Sequence, residues 1–235
     1  MSDDVLAQGW SRSYRRKQGQ PTRAQRAALR ELAPRYLLDA SYGVTLDLPA
    51  AFGRRGRVVL EVGFGMGENL VAQAERLRDQ QVDLVGVEVH TPGLGAAMLA
   101  LDERGLTNAR VVRRDVIELL GRHVPDASFD EVWIFFPEPW PREKDVHRRL
   151  MRPELLDLLA RRMRPGGELR LATDARAYAE YALGVLSAHP RFANLAASAD
   201  GFAERPEWRP LTKYEARGLE QGRAAHDLWF GLTEA

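Results

Sequence analysis

The chemistry in this sequence starts with acids and glycines at recurring places. Leu60-Glu61-Val62-Gly63-Phe64-Gly65-Met66-Gly67 puts Glu61 and three alternating glycines, Gly63, Gly65 and Gly67, directly before a stretch of helical periodicity. A glycine turn of this kind lets a ligand approach the backbone closely. A dinucleotide loop, G-x-G-x-x-G, would need a glycine where Glu68 stands, and a carboxylate there would repel a pyrophosphate at the helix start. A phosphate-free, cationic nucleoside fits better. S-adenosyl-L-methionine (SAM) has those properties: Glu88, 27 residues after Glu61, is placed to accept from its ribose hydroxyls, and Asp115 to accept from its adenine amino group.

A fourth acid sits in Phe135-Phe136-Pro137-Glu138-Pro139-Trp140, where two prolines stiffen a carboxylate and an indole into a base-sized slot. Guanine presents two adjacent donors that Glu138 can accept together, while Trp140 either stacks on the base or packs the loop. His90, which follows Glu88 at the same strand end, is read as loop structure. The five histidines show no metal-ligand spacing, so no metal is expected.

Short β-rich runs at 57–62, 83–89, 110–114, 129–136 and 168–172 alternate with helical periodicity at 68–77, 95–104, 153–163 and 178–189, with a turn at 164–167. This alternation predicts an α/β fold, a mostly parallel sheet with helices on both faces. Ligands of such sheets bind beyond the carboxyl ends of the strands, so residues 61–68, 88–90, 115, 137–142 and 174 should converge on one rim.

The 235 residues, 45% hydrophobic and 29% charged, describe an ordinary globular chain, and the absence of cysteine excludes disulfides, thiol catalysis and Cys-ligated metals. No apolar run is long enough to span a membrane, and the acidic start, MSDDVLAQGW, is unlike a signal peptide. The expected location is cytoplasmic. The net charge of +1 conceals a segregation: residues 11–35 carry eight cations (Arg12, Arg15, Arg16, Lys17, Arg23, Arg26, Arg30, Arg35) against Glu31, a local +7 that leaves −6 for the remainder. A basic arm on an acidic body is the footprint of a polyanion binder.

Six motifs together resemble the bacterial tRNA (guanine-N7-)-methyltransferases: the basic segment 12–20 with 22–25, the cofactor loop 60–67, Gly86-Val87-Glu88-Val89-His90 with Pro92-Gly93, Phe136-Pro137-Glu138-Pro139-Trp140, Ala172-Thr173-Asp174, and Thr212-Lys213-Tyr214-Glu215. The resemblance implies the Rossmann-like fold of class I SAM-dependent methyltransferases, with Asp227-Leu228-Trp229-Phe230 as an antiparallel last strand. It implies methyl transfer from SAM to N7 of the variable-loop guanine (position 46) of tRNA, with Glu138 as the catalytic group. Glu61, Gly63, Gly65, Gly67, Glu88, Asp115 and Glu138 would bind SAM; Arg142, Asp174, Thr212, Lys213, Tyr214 and Glu215 would bind the substrate. Residues 1–50 are expected to form a tRNA-binding arm and helix, and 51–235 the methyltransferase domain. The family usually has aspartate where Glu138 stands, and fewer acids than Glu143 and Asp145 bring to the following segment. These departures keep a second reading open: a SAM- and RNA-binding paralogue with an altered acceptor or little catalytic activity.

Overall fold

Burial on both faces of the first strand sets the layers. In β1 (Arg57–Val62), Val58, Leu60 and Val62 enter one apolar cluster and Val59 enters another on the opposite face, so helices must cover both sides. The computed structural model describes residues 13–14 and 19–234. Chain order is α1 (Arg23–Glu31), α2 (Ala33–Tyr36), α3 (Leu48–Phe52), β1, α4 (Glu68–Leu77), β2 (Val82–Glu88), α5 (Thr91–Glu103), β3 (Ala109–Arg113), α6 (Val116–Arg122), β4 (Phe129–Phe135), a 3-10 segment (Glu143–Arg148), α7 (Pro153–Arg162), β5 (Met163–Thr173), α8 (Arg176–Ala188), β6 (Phe192–Asn194), α9 (Lys213–Glu220) and β7 (His226–Leu232). The sheet order is β3-β2-β1-β4-β5-β7-β6, parallel through β5.

The antiparallel last strand is present, but it lies inside the sheet: β7 pairs with β5, Leu171 opposite Leu228, and the short β6 takes the edge. Helix α5 begins four residues before the periodicity suggested, because Pro92 in its first turn forfeits no needed N–H donor. The turn expected at 164–167 is absorbed into β5, where a register irregularity opposite Phe129 and Glu131 accommodates Gly166 at φ +75°.

Two features position the site. Helix α1, closed by a reciprocal capping box between Thr22 and Gln25, lies on α5 so closely that a Cβ at Gly95 would stand 2.7 Å from the Cβ of Gln25. Tyr36, Ala40, Leu46 and Leu48 are buried in the same clusters as the sheet. Four expected arm cations, Arg12, Arg15, Arg16 and Lys17, lie outside the described residues. On the far side, the segment 203–212 crosses β4, with Trp208 against Trp133 at 4.8 Å and its carbonyl accepting from Gln73 Nε2 at 2.6 Å.

Candidate active site

At the carboxyl rim of β1, β2 and β4 a cavity of about 690 Å³ opens between the glycine loop, the 136–138 loop and the start of α9, within the range of small-molecule sites. Gly63, Gly65 and Gly67 all have positive φ, at +70°, +58° and +86°, a conformation other residues adopt only under strain. The loop is clamped from behind by α5, where a Cβ on Gly93 would fall 2.0 Å from the Gly65 carbonyl oxygen. Glu88 closes the clamp: Oε2 accepts from the Gly65 N–H at 3.0 Å, and Oε1 accepts from the Val89 and His90 N–H groups at 2.6 and 3.0 Å. Three backbone donors on a two-oxygen carboxylate leave acceptor capacity for a ligand hydroxyl.

Glu61 follows Val59 by two residues and so shares its face, beneath α4. It is buried, its Oε2 has no hydrogen-bond partner, and burial pushes its carboxyl up to about 8. Asn69, equally buried on α4 and lining the same cavity, leaves both amide atoms unpartnered. Such atoms are rare in folded proteins and each costs about 1–3 kcal/mol. Asp115 caps α6 by accepting from the Ile117 N–H at 2.9 Å while bordering the cavity.

Glu138 lines the opposite wall, flanked by two non-glycine residues in the left-handed region: Phe136 at φ +51° and Trp140 at φ +41°. Each conformation costs about 1–3 kcal/mol and persists only where neighbours enforce it. The neighbours are identifiable. Phe136 N–H donates to Ala172 O at 2.7 Å, and Arg149 Nε donates to Pro139 O at 3.2 Å. The Trp140 indole donates to Ser13 O at 3.0 Å beneath the Arg148 guanidinium, 3.5 Å from the ring centroid. Of the two roles open to Trp140, the structure gives it packing of the loop: it is buried and does not line the cavity.

The roof is the Thr212–Glu215 stretch, which begins α9. Thr212 Oγ1 accepts from the Glu215 N–H at 3.2 Å, and the Lys213 N–H donates to Glu68 at 2.9 Å; the carboxylate that disfavours a pyrophosphate thus tethers the roof. Tyr214 is half exposed, its ring 5.3 Å from Phe136 and its hydroxyl 3.4 Å from Asp174 Oδ1, whose Oδ2 accepts from Arg223 Nε at 2.8 Å. Glu215 is buried and held by Arg205 and by Arg209, itself buried and also paired with Asp227 at 2.9 Å. Burial lifts Asp227 to about 6 even beside Arg209. The Arg209 guanidinium lies 5.3 and 5.4 Å from the Phe135 and Phe136 rings, so one side chain ties roof, β7 and the strand leading to Glu138.

Of the residues singled out from sequence, Glu61, Gly63, Gly65, Glu88, Asp115, Glu138, Thr212, Lys213, Tyr214 and Glu215 line the cavity. Gly67 stands behind it as the cap of α4, and Asp174 adjoins it through Tyr214. Arg142 is exposed ahead of the 3-10 segment and does not line the cavity. Sequence reasoning missed Asn69, Arg209 and the contribution of Ser13 and Tyr14 to the wall. Among the described residues no cluster of three or more His, Cys, Asp or Glu is arranged to hold a metal, and no helix is long and apolar enough to cross a membrane.

Comparison with known proteins adds a lineage to this geometry. The family model described as "Putative methyltransferase" matches residues 55–228. A tRNA (guanine-N(7)-)-methyltransferase of Paracidovorax citrulli is 46% identical over 93% of this chain and 86% of its own, and one of Halorhodospira halophila is 43% identical over 94% and 95%. The chain belongs to the tRNA (guanine-N(7)-)-methyltransferase family. Solved structures agree on the fold: a SAM-dependent methyltransferase from Aquifex aeolicus (TM-score 0.53, 14% identity, 78% of this chain and 87% of that one) and an rRNA methylase from Streptococcus thermophilus (0.52, 12%, 76% and 88%). The matches to these two tRNA (guanine-N(7)-)-methyltransferases run over more than nine-tenths of this chain.

Proposed function

We propose that this chain transfers a methyl group from SAM to N7 of a guanine in tRNA, the variable-loop guanine, as a cytoplasmic enzyme. The observation that carries this reading is the strained Glu138 loop facing, across one cavity, a buried polar pair with unmet hydrogen-bonding capacity. The residues suit the cofactor: Glu88 has acceptor capacity for ribose, Asp115 borders the same rim, and the orphaned Glu61 and Asn69 atoms await polar groups. When bound, SAM supplies a methyl carbon on positively charged sulfur; the N7 lone pair forms the new N–C bond and the C–S electron pair stays on sulfur.

No proton moves at N7, so the protein's task is positioning and electrostatics. Glu138 accepts from the guanine edge and opposes the positive charge that grows on the ring. Tyr214, braced by Phe136 and Asp174, restricts the base from the roof, and Arg209 keeps that roof in place. Asp174 and Arg142 are substrate-side groups in this reading. For the tRNA backbone, exposed Arg23, Arg26 and Arg30 form a basic stripe on α1, opposite buried Ala28, and the 1–50 segment acts as the tRNA-binding arm.

Labelled-methyl transfer tests this reading: label should enter tRNA at guanine, and Glu138→Gln should slow single-turnover transfer while SAM affinity holds. Label absent from tRNA with SAM and tRNA both bound would favour the catalytically weak paralogue that Glu138, in the family's aspartate position, keeps in view; recovery of activity in Glu138→Asp would establish it.

A further inference from the structure

We infer that Asn69 is a binding residue for the amino-acid end of the cofactor, acting with Glu61 as one polar seat, and that filling this seat with an α-ammonium group drives the Glu61 proton into solvent. The inference rests on the SAM reading and extends it to a residue that no motif marks and to a coupling between ligand binding and proton release.

Three polar atoms carry it: Glu61 Oε2, Asn69 Oδ1 and Asn69 Nδ2, all buried, all without partners, and all on side chains that line the cavity. Buried polar groups are paired in the great majority of cases, so three orphans side by side mark a place prepared for something else. Two are acceptors and one is a donor. A primary ammonium carries three N–H donors, enough for Oε2 and Oδ1 together, while Asn69 Nδ2 remains to donate to a carboxylate.

The charged surroundings determine the protonation state. Glu61 lies opposite Gly86 of β2 and Trp133 of β4, neither of which bears charge. Nearby acids are committed: Glu88 to the Gly65, Val89 and His90 N–H groups, and Glu68 to the Lys213 N–H. On the roof, Arg209 spends its charge on Glu215 and Asp227. No basic side chain is among the influences on Glu61: burial pushes its carboxyl up to about 8, opposed only by the neighbouring Asn69 amide, which approaches it without reaching hydrogen-bond geometry. At neutral pH it is therefore mostly the neutral acid. An ammonium brought against Oε2 supplies the missing countercharge, the carboxylate form takes over, and one O–H proton leaves.

Calorimetry on the full chain reads this directly. S-adenosylhomocysteine, which keeps the amino-acid end, is titrated at pH 7 in buffers of different ionisation enthalpy; its α-amino group is already mostly protonated there. The expected result is release of most of one proton per site, abolished in Glu61→Gln. Asn69→Ala should weaken binding by about tenfold or more. Methylthioadenosine, the same nucleoside without the amino-acid end, should bind both parent and Asn69→Ala alike and release no proton. S-adenosylhomocysteine binding without proton release, or with unchanged affinity in Asn69→Ala, overturns the seat while leaving the cofactor reading intact; failure of both nucleosides to bind overturns the cofactor reading itself.

Discussion

Gly93→Ala puts the smallest side chain into the tightest backbone approach of the site. The added Cβ would fall 2.0 Å from Gly65 O and 3.1 Å from Gly65 C, both backbone atoms, and 3.4 Å from Glu88 Cγ. Neither carbonyl atom can rotate away as a side chain could, so helix and loop must separate by about 1 Å or more to reach ordinary contact. Overpacking of this kind costs about 1–3 kcal/mol of stability. The larger effect falls on the site, because the displaced Gly65 N–H loses its bond to Glu88, a charge-assisted contact of about 1.5–3 kcal/mol. SAM affinity should fall roughly 10–100-fold. Gly95→Ala, two residues along α5, is the matched control: its Cβ would meet Gln25 of α1 at 2.7–3.0 Å, so it should loosen tRNA binding and leave SAM affinity alone. Calorimetry with SAM, filter binding with tRNA and thermal melting of both variants separate the effects. If Gly93→Ala binds SAM like the parent and melts at the same temperature, the clamp between α5 and the glycine loop is not what holds the cofactor site.

Further outcomes follow from the charges. Replacing Arg23, Arg26 and Arg30 together by glutamine should flatten the dependence of log K for tRNA on log salt by about 0.7–0.9 per lost phosphate contact, with SAM affinity unchanged; an identical slope would show the α1 stripe to be idle. Arg209→Leu should destabilise by about 3–5 kcal/mol, since Glu215 and Asp227 are left buried without their partner. That loss should be smaller at pH 5 than at pH 8 in chemical denaturation, because Asp227, lifted to about 6, is mostly neutral at the lower value. For the ligand-free protein, Glu61 binds its proton more tightly folded than unfolded, so its contribution to stability falls as pH rises from about 4.5 to about 8; Glu61→Gln should lose this slope, and a parent curve parallel to the variant's would refute the buried acid.

The parts of the site legible in the sequence are those where a local rule forces the residue type. Alternating glycines announced Gly63, Gly65 and Gly67 because left-handed φ admits little else, and acids at strand ends announced Glu61, Glu88 and Asp115 because the carboxyl rim of a parallel sheet is where ligands sit. Asn69 and Arg209 carried no such mark. Asn69 occupies one polar position in an otherwise regular helix, and its meaning comes from the partners it lacks. Arg209 belongs to an aperiodic stretch, and it is buried only because β7 inserts between β5 and β6 and brings Asp227 beneath the roof. Trp140 was ambiguous because a Pro-flanked indole serves equally to stack or to pack, and the choice depended on Ser13 and Arg148, remote in sequence. One overlooked element was readable: Thr212-x-x-Glu215 is a helix-start signature, and α9 begins there.

The central claim is methyl transfer to a tRNA guanine at a site framed by Glu138 and the Glu61–Asn69 wall. Its most direct test is mass-spectrometric mapping of nucleosides in unmodified tRNA after incubation with the full chain and SAM. The account predicts 7-methylguanosine at a single guanine of the variable loop, formed far more slowly by Glu138→Gln. Methylation of a different base or a different tRNA position, or intact tRNA from a protein that binds both SAM and tRNA, would contradict it.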